Sequence, residues 1–187
     1  PDHIALTLSE FAQQAYRINR ASNLPIMVDA DHGYGNALNV KRTVEELETA
    51  GVSGLSIEDT VLPRPFGSAG KVELTCLEEG VGKMRAAAAG RQDPLMTIAA
   101  RTSAPLLTGI EDTLERISAY QDTGVDALFL IGIKSQDDLE KVARVAKLPL
   151  ILGGAGKDIM DLPYLGSMGV RLCLQGHQPI MASIQAT

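Results

Sequence analysis

"PIMVDADHGYGN", residues 25–36, decides the fold of this chain. An apolar run, Pro25 to Val28, stops at Asp29, Ala30 and Asp31, then breaks at His32, Gly33 and Gly35. Apolar residues that end abruptly at glycine read as a strand. Alternate residues of a strand share a face, so Asp29 and Asp31 point the same way. Two carboxylates packed together repel, which raises one pKa unless a cation neutralises them. The stretch therefore predicts a strand whose C-terminal end carries a charged site.

The rest of the chain repeats that arrangement. Residues 1–23 read as a helix with a capping box at Thr7 and Glu10. Residues 37–50 carry apolar positions at helical spacing, and Gly51 follows as a stop. "VSGLSIED", "LMTIAART", "VDALFLIGI", "LPLILGG" and "VRLCLQGH" read as five further strands with helices between them. Thr108 with Glu111 predicts a capping box for the helix after the third strand, and Ser135 with Asp138 opens the next one. Serial strand–helix units imply parallel strands with helical crossovers. Nearly all-apolar strands imply a sheet covered on both faces.

Two architectures satisfy that pattern, a closed barrel and an open doubly wound sheet. No Gly-x-Gly-x-x-Gly follows the first strand, which weakens the dinucleotide-binding version. Asp29, Asp31, Glu58, Asp59, Arg101 and His177 all fall at the C-terminal ends of different predicted strands. In a barrel such ends converge on one mouth. The expectation is an α/β fold, a (β/α)8 TIM-type barrel that is incomplete here. Residues 1–187 form one barrel domain of about six parallel strands, truncated at both ends, because six strands do not close an eight-stranded barrel.

Composition excludes several classes. A formal net charge of −6 argues against a nucleic-acid or anionic-membrane surface. No apolar run reaches the ~18 residues of a membrane-spanning helix. Cys76 and Cys173 fit neither a zinc spacing nor a disulfide framework, so a cytoplasmic compartment is expected.

The carboxylates carry the chemistry. Asp29, Asp31 and Glu58 offer only oxygen donors, the preference of Mg2+ or Mn2+. The other reading is that these aspartates cap a helix or bind loop amides. Asp59 alternates to the opposite face from Glu58. Arg101 at its strand end is either a clamp on a substrate carboxylate or the structural partner of a carboxylate. His177 is a hydrogen-bond donor or proton carrier at the mouth, or a structural histidine. His32 reads as a loop residue, and Cys76 lacks a nearby histidine to activate it.

Taken in order, "DADHGYGN" (29–36), "SIEDTVLP" (56–63), "IAART" (98–102) and "GH" (176–177) resemble the isocitrate lyase / phosphoenolpyruvate mutase superfamily. That resemblance implies a barrel with Mg2+ at its mouth. The substrates are α-keto acids or their adducts, with a bond made or broken next to an enolpyruvate. By position, Asp31 resembles the direct metal ligand. Asp29 and Glu58 resemble the carboxylates that hold metal-bound waters, and Arg101 the substrate-binding arginine. The loop after Glu58 has no catalytic Cys, and Thr60 stands where phosphonopyruvate enzymes carry Lys. "IEDTVLP", "EEGVGKMRAA", "IAART" and the last-strand His177 together resemble the oxaloacetate decarboxylase branch, in which the matching His contacts substrate.

The implied function is Mg2+-dependent decarboxylation of oxaloacetate to pyruvate and CO2. The alternatives are a carbon–carbon lyase for a substituted malate or citrate, and a non-catalytic fragment that binds metal or a partner. The resemblance also implies a homo-oligomer, dimer or tetramer. It places two further strands before residue 1 and further helices after Thr187.

Overall fold

The computed structural model describes residues 5–68 and 70–187. Its frame is a six-stranded parallel sheet in the order β1-β2-β3-β4-β5-β6. The strands are β1 (Met27–Asp29), β2 (Gly54–Glu58), β3 (Thr97–Thr102), β4 (Ala127–Leu130), β5 (Leu150–Leu152) and β6 (Val170–Cys173). Each strand pairs with the next one in sequence, which is the winding of a barrel; a doubly wound sheet reverses its order at a switch point. The result is a curled, incomplete TIM-type barrel, as the strand-end polarity predicts.

The helices are α1 (Leu8–Asn19), α2 (Ala37–Thr49), α3 (Leu77–Gly90), α4 (Ala104–Leu107), α5 (Ile110–Tyr120), α6 (Gln136–Val145), α7 (Leu162–Ser167) and α8 (Gln178–Ala186). Local sequence fixes their starts. The Thr7 hydroxyl accepts from Glu10 N–H, and Glu10 accepts from Thr7 N–H in return. Asn36 caps α2 in the same reciprocal way with Asn39, and Ser135 caps α6 through Asp138 N–H. The first four residues of the expected first helix lie outside the described residues.

Strand alternation divides the core in two. Leu55, Ile57, Ile98, Leu128, Leu130, Leu150 and Leu152 point outward into the main core with residues from the helices. Ala99, Ala127, Phe129 and Ile151 form a smaller cluster on the other, inner face. A period of two explains the separation, since neighbours along a strand face opposite ways.

Two expectations need correction. Thr108 does not cap α5, because its N–H bonds Ala104 O and closes the unforeseen short helix α4. Gly109 takes the cap position at φ 98°, and the Thr108 hydroxyl bonds Asp112 instead. The sixth strand ends at Cys173, four residues before His177, and His177 is the N-cap of α8.

Candidate active site at the strand C-terminal ends

Register places the charged residues side by side. Asp29 pairs with Ser56, Glu58 pairs with Arg101, and Arg101 pairs with Phe129. These positions share the inner face with Ala99 and Ile151. Arg101 therefore lies between the ends of β2 and β4, with its guanidinium 5.5 Å from the Phe129 ring centre. Its Nη2 lies 3.0 Å from Glu58 Oε2, and its Nη1 donates to Asp29 Oδ2. Glu58 is 3 % exposed, whereas the Asp29 side chain is half open to solvent.

Asp31 completes the group through the backbone. Its N–H bonds Asp29 Oδ1 at 3.0 Å, and its carbonyl accepts Glu58 N–H at 2.8 Å. It has left the extended conformation, with φ at 49°. Tyr34 at φ 62° and Gly33 at φ 74° continue that tight turn. A Cβ on Gly33 would stand 2.5 Å from Val40 Cγ2, so this bend is built for glycine. Left-handed backbone at non-glycine residues persists only where the surroundings over-determine it. Here the Thr43 hydroxyl holds Gly33 O at 3.0 Å.

Asp59 faces the helices. Its Oδ2 accepts from the Tyr120 hydroxyl at 2.7 Å and from Arg116 Nη1 at 3.0 Å. Burial raises its pKa, and the bonds from Tyr120 and Arg116 work against that rise. Arg116 also donates to Thr75 O at 3.1 Å, so this buried pair anchors the far end of the β2–α3 loop.

His177 is not brought into this group. It is exposed in the left-handed conformation at φ 63°, and no side-chain hydrogen bond or ion pair joins it to Asp29, Glu58 or Arg101 among the described residues.

Sequence reasoning missed two buried groups next to the site. His32 is 4 % exposed, and burial, with Lys83 adding to it, pulls its pKa down to about 4. Lys83 on α3 is 2 % exposed. Burial lowers its pKa, while Glu79, Asp59 and Glu58 pull it back up. The signal for Lys83 was a charge on the helix face that also carries Gly80 and Ala87.

The oxygen-only donor set fits a magnesium-type cation. Among the described residues no three His, Cys, Asp or Glu side chains stand ready to enclose a metal directly. Mg2+ needs no such enclosure, since it keeps several waters and uses one or two carboxylates.

The chain belongs to the phosphoenolpyruvate phosphomutase family, whose description matches residues 1–187. It is 57% identical over 186 residues to an oxaloacetate decarboxylase of Bradyrhizobium diazoefficiens, covering 100% of this chain and 64% of that protein. An oxaloacetate decarboxylase of Rhodopseudomonas palustris strain BisB18 is 52% identical with the same coverage. The chain thus spans 64% of the length of these curated relatives. Among solved structures, a phosphonopyruvate hydrolase complex with oxalate and Mg2+ superposes with TM-score 0.85 at 28% identity. It is covered over 66% of its length by 100% of this chain. An oxaloacetate acetylhydrolase bound to 3,3-difluorooxalacetate gives TM-score 0.83 at 28% identity, with 100% and 67% covered.

Proposed function

We propose that the protein carrying this chain decarboxylates oxaloacetate to pyruvate and CO2 with the help of Mg2+. The observation that supports it is Arg101 held between Asp29 and Glu58 on the inner mouth, in a chain 57% identical to an oxaloacetate decarboxylase. Asp31 would hold the cation directly, with Asp29 and Glu58 holding it through waters. Bound there, the cation supplies Lewis-acid withdrawal of charge from the keto group.

The chain's own residues do the rest. Cleavage of the bond to the distal carboxylate releases CO2 and leaves its electron pair in an enolate. Arg101 stabilises the developing oxyanion, which lowers the barrier where new charge appears. In the present arrangement Arg101 is held by Asp29 and Glu58, and were those carboxylates to hold a cation, its donors would be available for substrate. Phe129 backs the guanidinium and keeps it on the inner face. His177 orients the substrate or its distal carboxylate. Protonation of the enolate yields pyruvate. The substrate is a small α-keto acid, and the working form is a homo-oligomer.

A carbon–carbon lyase reading draws on a 2,3-dimethylmalate lyase that superposes with TM-score 0.81 at 28% identity. The test is pyruvate release from oxaloacetate by the full-length protein, with and without Asp31→Ala. Free Mg2+ sets the background. The expected result is a Mg2+-dependent rate that falls by about 10²-fold or more in the variant, the scale of losing a group that stabilises developing charge. Equal rates in two folded proteins would sink the assignment, and cleavage of a substituted malate would transfer it to the lyase reading.

A further inference from the structure

Arg116 is a buried guanidinium with no part in the chemistry above. It stands on α5 and is 6 % exposed. Its three nitrogens serve four acceptors. Nε donates to Asp112 Oδ2 at 2.9 Å, one turn earlier on the same helix. Nη1 donates to Asp59 Oδ2 at 3.0 Å and to the Tyr120 hydroxyl at 3.3 Å. Nη2 donates to Thr75 O at 3.1 Å. Tyr120 in turn donates to the same Asp59 Oδ2 at 2.7 Å.

These acceptors come from three places in the chain. Asp112 and Tyr120 belong to α5, Asp59 follows the last residue of β2, and Thr75 lies where the β2–α3 loop returns. The main chain joins the last two directly. Thr75 N–H donates to Asp59 O at 2.8 Å, and Val61 N–H donates to Glu73 O at 2.8 Å. With the antiparallel bridge between Thr60 and Leu74, the loop therefore leaves and returns as a short paired stem. Asp59 N–H donates to Arg101 O at 3.3 Å. Asp59 thus links the guanidinium on α5 to the main chain of Arg101, the residue proposed for substrate.

A buried ion pair is weak evidence for stability, because desolvation offsets most of its attraction. What a guanidinium adds is direction. Its donors lie in one plane at fixed angles, so its acceptors are held in a set arrangement, which the point charge of an ammonium does not impose. We propose that Arg116 is a positioning residue: through Asp59 and the Thr75 carbonyl it fixes the joint where β2, β3 and the β2–α3 loop meet, and with it the main chain from which Arg101 reaches substrate. The inference rests on the substrate role proposed for Arg101, and it adds a residue that touches neither substrate nor metal.

Arg116→Lys keeps a positive charge beside Asp59 and loses the fork that reaches Thr75 O and Asp112 at once. In the full-length protein, kcat for oxaloacetate is expected to fall by about 10–10²-fold, since a misplacement of about 1 Å caused far from the chemistry accounts for the upper figure. KM and Mn2+ affinity change little, because the carboxylates on the inner face keep their places. The decisive comparison adds Arg116→Lys to Arg101→Met. If Arg116 acts by placing Arg101, the double variant has the kcat of Arg101→Met alone. A residue that only stabilises the fold lowers the urea midpoint and leaves kcat per folded molecule unchanged.

Unchanged kcat in a folded Arg116→Lys protein overturns the proposal, and so does a double variant whose losses multiply. If the lysine variant does not fold, Tyr120→Phe deletes only the hydroxyl that holds Asp59. It is expected to lower kcat in the same direction, again with no further loss over Arg101→Met. If neither variant folds, Arg116 is a stability residue and the proposal fails. Wild-type protein that leaves oxaloacetate intact, or an Arg101→Met variant that keeps its kcat, overturns the reading of Arg101 and this inference with it. An active wild type with multiplying losses overturns only the role of Arg116.

Discussion

Arg101 has two duties that pull in opposite directions. It neutralises Asp29 and Glu58, and it is the donor proposed for substrate. Its removal is expected to separate the two. Arg101→Met leaves the carboxylates without their cation, so Mn2+ binds several-fold more tightly. The same change lowers kcat/KM by about 10²–10³-fold, the scale seen when one stabiliser of developing charge is removed. Mn2+ titration beside steady-state kinetics reads both effects, and parallel losses in both would show that Arg101 only maintains the fold. Asp29, Glu58 and Arg101 were legible in the sequence because each closes an apolar run, and register then forces strand ends together. His177 was read as the end of a strand, but β6 stops at Cys173 and His177 is the N-cap of α8. His32 and Lys83 were not legible as a pair. Fifty residues of chain separate them, and no local pattern says that a loop will fold onto a helix.

The elements pack through small residues on α3. Gly80 and Gly90 lie where neighbours come close: a Cβ would stand 2.2 Å from the Tyr120 hydroxyl and 2.6 Å from Lys41 O. Gly82 on the same helix faces open space. Two substitutions of identical chemistry should therefore differ in sign. Gly82→Ala is expected to stabilise by about 0.5–1 kcal/mol, since alanine is the better helix former. Gly90→Ala meets a backbone carbonyl and is expected to destabilise by about 1–3 kcal/mol, the usual penalty of overpacking. Urea unfolding measures both, and a stabilised Gly90→Ala would mean that α2 and α3 slide apart at no penalty. The serial strand–helix order was legible because each strand is an apolar run bounded by glycine or polar residues. Helix α4 was not, since four residues carry no helical period, and its closure on Thr108 displaced the expected cap.

At the scale of the whole molecule, the helices and outward strand residues share one core, and the acidic site rests on its rim. The stability of that core is tied to pH through His32. Its folded pKa is about 4, below the usual histidine value near 6.5, because burial disfavours the charged ring. The unfolded chain therefore binds more protons than the folded one between these two values. Stability from this group is fully present above pH 6.5 and is lost as pH falls toward 4. The size is about 3 kcal/mol at most, from the separation of the two pKa values. His32→Gln removes the titration and keeps a polar side chain of similar reach. Unfolding free energies of the metal-free proteins, taken at steps from pH 7 to 4, should show wild type losing stability faster than the variant across that window. Asp59 opposes the trend, because its raised pKa favours the folded state as it protonates, and it does so equally in both proteins. Their difference therefore isolates the imidazole. Parallel curves would mean that His32 accepts its proton in the folded state as readily as in the unfolded one, and that the core opens to water at the turn beside Asp31.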